Sequence, residues 1–362
     1  MIMTGLRGVG KTVLLNRFAE LAELVGWESI ELEASKHDET AFRQSIFSKF
    51  RAALLHISPR RRWSKRARHA AEVLSSFVLS MDQSGTFSVT WDVDPSEGYG
   101  DHGDLGLDLT DVFLAVGDAA KEKGTGIVLL IDEVQFLTTV QLESLIQAVH
   151  KSVQKKLPIT FVGAGLPQIA ELAGDAKSYA ERLFKFPRID SLTPEEARQA
   201  LVGPAETENV SYDEDAVDLA VSLTHGYPYF IQELGYQAWI VASGNHITAE
   251  DISTAKEAYE AKLDGSFFRV RLDRATPLQT AYMRAMAELG SEPQKAADVA
   301  SLMKRESSQV APIRSQLIDM GLLYTPQHGY AAFTVPDFDK FMMRAVPRLE
   351  VPEIQHRRRR GK

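Results

Sequence analysis

The segment Gly5-Leu6-Arg7-Gly8-Val9-Gly10-Lys11-Thr12 constrains this chain more than any other, because it meets every fixed position of G-x-x-x-x-G-K-[ST]. Gly5, Gly8 and Gly10 let the backbone curl until its N–H groups point inward at phosphate oxygens, and a helix starting near Lys11 adds its positive end. Lys11 is then expected to reach the β- and γ-phosphates, and the Thr12 hydroxyl to ligate magnesium, so the loop predicts ATP with Mg2+. Arg7, Val9 and Val13 complete the expected nucleotide-binding segment. Such a loop needs a strand before it and a helix after it, and residues 2–4 and 11–24 carry those patterns.

A second motif stands 120 positions downstream of Thr12, at Asp132. Val128-Leu129-Leu130-Ile131-Asp132-Glu133 is an aliphatic strand ending in two carboxylates. Asp132 is expected to hold the magnesium shell and Glu133 to polarise the attacking water as the catalytic base. The chain carries no Asn-Lys-x-Asp sequence, which argues against guanine as the base.

Around these motifs the first half alternates short apolar runs with amphipathic stretches, the pattern of an α/β protein with a parallel sheet covered by helices. Further strands are expected at 29–33, 127–131 and 159–162, and Phe42, Ile46, Phe50 and Leu54 line one face of a helix. Residues 58–111 read as an insertion that begins basic and becomes acidic. It holds a strand-like 87–91, then a Gly-rich stretch expected to be a mobile loop. After about residue 175 helical patterns take over. Expected helices follow Thr193-Pro194 and run over 213–224, 229–242 and 249–263. Three more helices, at 277–289, 296–303 and 307–320, precede a hairpin of 322–324 with 331–335, the order of a winged helix. The expected division is therefore a P-loop α/β domain over 1–175, a helical lid over 176–265, a winged helix over 266–350 and a basic tail over 351–362.

Composition removes several classes of function. With no cysteine among 362 residues, disulfides, thiolate zinc sites and cysteine nucleophiles are excluded. The longest aliphatic run, 127–131, is far short of the roughly 20 residues that span a bilayer, so no membrane partner is expected. No secretory signal is readable, and a cytoplasmic location is expected. A net charge of −8 speaks against coating nucleic acid non-specifically. The winged helix leaves two kinds of partner open: duplex DNA, met by Lys304, Arg305, Ser307, Ser308, Gln309 and Arg314, or a protein client or second copy of the chain.

In this order, the loop, the Asp132-Glu133 pair, a helical domain and a terminal winged helix resemble the AAA+ and STAND ATPases, especially the branch of origin-recognition and archaeal-type ATPases. The resemblance covers most of the chain. It implies ATP hydrolysis and an arginine finger at Arg182, within Tyr179-Ala180-Glu181-Arg182-Leu183-Phe184. Gly226-Tyr227-Pro228 resembles the Gly-x-Pro motif of STAND switches, which implies that Pro228 lies near the nucleotide. Members place a polar sensor at the end of the strand expected at 159–162, where this chain has Gly163-Ala164-Gly165. Members also carry a segment upstream of the first strand that helps hold adenine, so a late start of the reading frame is expected. These departures point to slow hydrolysis and a nucleotide-controlled switch. The alternative is a DNA-binding regulator that binds ATP and scarcely hydrolyses it.

Overall fold

The computed structural model describes residues 1–34, 39–59, 63–79, 93–177 and 180–352. The strand expected at 87–91, Arg60 to Arg62 and the tail beyond residue 352 lie outside them. The chain divides into two compact units, Met1–Gly5 with Gly10–Ile189, and Leu6–Val9 with the residues from Asp190 onward.

The first unit is built on four parallel strands, β1 (Ile2–Thr4), β2 (Glu28–Glu33), β3 (Ile127–Asp132) and β4 (Ile159–Gly165), in the order β1-β4-β3-β2. Thr4 pairs with Gly165, and Glu33 with Asp132. Outside β1 the chain runs alongside once more: the N–H groups of Ile2 and Thr4 donate to the carbonyls of Lys185 and Pro187 at 2.8 and 2.9 Å. β2 closes the other side as an outer strand, with Ile30 buried and Glu31 and Glu33 exposed.

Burial on both faces explains why β3 reads as an unbroken aliphatic run. Val128 and Leu130 turn to one face, where they pack with Leu15 and Ala19 of α1 (Lys11–Leu24). Leu129 and Ile131 turn to the other, under α2 (Glu39–Ile57), α3 (Lys65–Leu79), α4 (Leu105–Lys123) and α5 (Thr139–Gln154). Short α6 (Ile169–Ala176) and α7 (Ala180–Leu183) follow β4.

Part of the expected insertion belongs to this core. Ala67, Ala70, Ala71, Val73, Leu74 and Phe77 of α3 are all buried, while Arg66 and Arg68 face outward. Arg43 of α2 and Asp108 of α4 form a fully buried ion pair at 2.9 Å, and Arg43 also donates to the Phe77 carbonyl at 3.2 Å. The Gly-rich stretch expected to be loose is tied down by carboxylates. Gly98, Gly100 and His102 donate their N–H groups to Asp101, Asp111 and Asp108 at 3.1, 3.0 and 2.8 Å.

The second unit is mainly helical. Its first part holds α8 (Pro194–Thr207), α9 (Glu214–Thr224), α10 (Pro228–Val241) and α11 (Ala249–Lys262), with a two-stranded parallel pair, β5 (Ser211–Tyr212) and β6 (His246–Ile247). Capping boxes start α8 at Thr193 with Glu196 and α11 at Thr248 with Asp251. A π-helical turn, Leu263–Phe268, leads into α12 (Arg269–Leu272). The last part comprises α13 (Pro277–Leu289), β7 (Gln294–Lys295), α14 (Ala296–Leu302), α15 (Ser307–Asp319), β8 (Leu323–Tyr324), β9 (Tyr330–Phe333) and α16 (Phe338–Ala345). β7, β9 and β8 form a three-stranded antiparallel sheet, one strand more than the hairpin expected from the sequence. Phe338, Phe341 and Met342 bury one face of α16.

Candidate functional site

Parallel strands deliver their carboxyl ends to one edge of the sheet, and there the ends of β1, β3 and β4 meet. β1 delivers Gly5, whose N–H donates to the Gly165 carbonyl at 3.1 Å. Gly10 caps α1 at φ 92, a left-handed conformation that side chains resist, so the loop enters the helix through glycine. The first turn of α1 has no acidic residue and no capping side chain. A helix end of this kind favours negative charge.

Lys11 is only 7% exposed, and its Nζ donates to the Gly5 carbonyl at 2.9 Å. One helical position on, Thr12 Oγ1 donates to Asp132 Oδ2 at 2.5 Å. This bond joins the two motifs across 120 residues. The other oxygen of Asp132 accepts the Glu133 N–H at 2.7 Å, and Glu133 adopts φ 52 at the turn out of β3. A non-glycine residue in that region marks a backbone held in place by its surroundings. A cleft of about 290 Å³ opens beside Thr12 and Asp132, with Asn16, Glu31, Glu33 and Lys49 in its lining. A larger cavity, about 800 Å³, lies between α13 and the chain near Pro347 in the second unit.

The remaining residues expected at the site fall in different places. Arg7, Gly8 and Val9 count with the second unit, and Val13 is exposed on α1. Pro228 is the first residue of α10 in the second unit. Arg182 is exposed on α7 and makes no hydrogen bond or ion pair with Lys11, Asp132 or Glu133 among the described residues. Gln135 was not expected. Its amide nitrogen donates to the Glu133 carboxylate, and its amide oxygen accepts the Leu166 N–H at 3.0 Å. Its position two residues after the paired carboxylates was the available signal.

A magnesium ion suits these donors. Among the described residues no group of three or more His, Asp or Glu side chains could cage a metal unaided. Magnesium is held instead by one or two carboxylates with phosphate oxygens and water, and Thr12 with Asp132 offers such a partial set. No helix among the described residues is long and apolar enough to cross a membrane.

Two protein-family models match the chain: an AAA domain over residues 1–171 and a domain of unknown function over residues 265–342. No curated protein matches it. Among solved structures, the Walker-type ATPase of Pyrococcus abyssi is similar at a TM-score of 0.58 and 16% identity, covering 94% of this chain and 90% of that one. At that identity the likeness shows the fold. RuvB of Thermotoga maritima, a Holliday junction branch migration motor, gives a TM-score of 0.44 at 13% identity over 97% of this chain and 87% of its own. The Aeropyrum pernix ORC1 protein, solved with DNA, gives 0.42 at 15% over 95% and 86%. The loop, the paired carboxylates, the strand order and the family match agree over residues 1–171, and that part of the chain is an AAA domain built on a P-loop.

Proposed function

We propose that this protein binds Mg-ATP and hydrolyses it slowly, as a nucleotide-controlled switch. The observation that carries the proposal is the 2.5 Å bond between Thr12 and Asp132, which brings the phosphate loop to the paired carboxylates. Lys11 Nζ would exchange the Gly5 carbonyl for phosphate oxygens, a stronger, charge-assisted partner for a buried ammonium. Thr12 would turn its oxygen from Asp132 to the metal, and Asp132 would accept from water in the metal's shell. Magnesium, when bound with ATP, supplies charge neutralisation between the β- and γ-phosphates. Glu133 would align a water and take its proton. Slow turnover is supported by Gly165 standing where β4 ends with no polar side chain of its own.

The switch reading draws on the turn before Pro228. Gly226 has φ 69, and a Cβ there would come within 2.3 Å of the Leu192 carbonyl oxygen, so the turn admits only glycine. Leu192 in turn donates its N–H to the Gly226 carbonyl at 2.8 Å, which fixes how α10 begins. Arg182, exposed, would serve the nucleotide of a neighbouring copy.

Phosphate release with and without duplex DNA tests both readings. Glu133→Gln should lower kcat by about 100-fold or more while nucleotide still binds, whereas Lys11→Ala should weaken binding and turnover together. A parent enzyme no faster than Lys11→Ala would refute hydrolysis. The DNA-binding regulator draws support from the order of α13, α14, α15 and the antiparallel sheet, which fits a winged helix, and from exposed Lys304, Ser307, Ser308 and Gln309. Arg305 does not add to it, since its guanidinium donates to the Pro352 carbonyl. A gel shift that Lys304→Ala with Arg314→Ala leaves unchanged would count against that reading.

A further inference from the structure

We propose that Gln135 is the positioning residue of this active site: its amide bridges the Glu133 carboxylate to the end of β4 and holds that carboxylate where it takes the proton of the attacking water. The inference rests on the hydrolytic reading above and names a further residue for it. Three observations carry it. The amide oxygen accepts the Leu166 N–H at 3.0 Å, and the amide nitrogen donates to Glu133, so both ends of the amide are assigned by their partners. A carboxylate can only accept and a backbone N–H can only donate, and a primary amide is the neutral side chain that answers both in one plane. Glutamate at 135 would bring a second negative charge to Glu133, and leucine would leave the Leu166 N–H without its acceptor.

The third observation concerns the strand itself. A Cβ on Gly165 would sit 2.8 Å from the Gln135 amide oxygen. The space in which a side chain at the end of β4 would stand is thus occupied by the amide of residue 135. This accounts for glycine at 165 and for a polar group at that place all the same. Because the clashing atom is the end of a flexible side chain, Gly165→Ala should push the amide aside rather than unfold the sheet.

The test is steady-state phosphate release from Mg-ATP by the full chain, with nucleotide affinity measured by calorimetry. Gln135→Ala and Gln135→Glu should each lower kcat about tenfold or more with KM within about twofold, as expected for a displaced catalytic group. Added to Glu133→Gln, neither should cost anything further, because the amide acts through that carboxylate. Gly165→Ala should slow the parent similarly and do nothing on the Gln135→Ala background. If Gln135→Ala does not fold, Gln135→Glu and Gly165→Ala carry the same test. Parental rates in these variants, or losses that multiply with Glu133→Gln, would overturn the role of Gln135 while leaving hydrolysis standing. A parent that matches Lys11→Ala would overturn the hydrolytic reading and this role with it.

Discussion

Single residues set two separate economies in the first unit, one for phosphate chemistry and one for the core. Arg43 is 1% exposed and Asp108 fully buried, so the pair exists only because each satisfies the other and its neighbours. Asp108→Ala would leave a buried guanidinium short of its main carboxylate, with the half-exposed Glu39 at 2.9 Å taking part of the load. A loss of about 3 kcal/mol is expected, the low end for breaking a buried pair, read from urea unfolding midpoints. Arg43→Met with Asp108→Leu should recover much of it, since replacing both partners removes the uncompensated charge. Neither the pair nor the Gln135 bridge was legible beforehand. Lys11, Thr12, Asp132 and Glu133 announce themselves through neighbours in sequence. Arg43 and Asp108 lie 65 positions apart and Gln135 and Leu166 lie 31 apart, with no motif to join them.

At the scale of elements, boundaries follow caps and apolar periodicity, and these were readable: α8 begins after Thr193, and α1, α11 and α13 begin at the expected 11, 249 and 277. β4 runs three residues further than its aliphatic core suggests. Glycines ordinarily weaken a strand, yet a Cβ on Gly163 would come within 2.9 Å of the Phe161 ring, so packing requires what propensity disfavours. β7 was missed because two polar residues, Gln294 and Lys295, carry no alternation. The turn from Gly98 to Asp104 was misread as loose because carboxylates in a Gly-rich stretch look solvated until their acceptors are paired with N–H groups. That turn has a pH signature. His102 Nε2 meets Asp111 at 2.9 Å, and this hydrogen bond, with the charges of Asp111, Asp108 and Asp101, holds the imidazole above its ordinary pKa. The folded state therefore binds the proton more tightly, and the contribution is full at low pH and fades as pH rises past about 6.5. Screening at this exposed site keeps it to about half a kcal/mol or less. Hydrogen exchange at the Gly100 and His102 amides should quicken, beyond the intrinsic pH trend, between pH 6 and 8 in the parent. In His102→Gln that excess should vanish.

For the whole molecule, strand order decides what the two motifs can do, and order is what a linear pattern hides. β4 enters between β1 and β3 although it follows both in the chain. Insertion there sets the phosphate loop and the paired carboxylates two strand spacings apart, about 9.5 Å, with Gly165 between them. The outer strand β2 has a further consequence. An open strand edge invites a strand from another molecule, and β2 answers with exposed carboxylates at Glu31 and Glu33. Both carboxylates also line the cleft beside Thr12 and Asp132, so the guarded edge and the site share them. Glu31→Val with Glu33→Thr would turn β2 into a neutral, β-branched edge. Light scattering should then show mass rising with concentration, and an unchanged, concentration-independent mass would show that the edge is guarded by something other than charge.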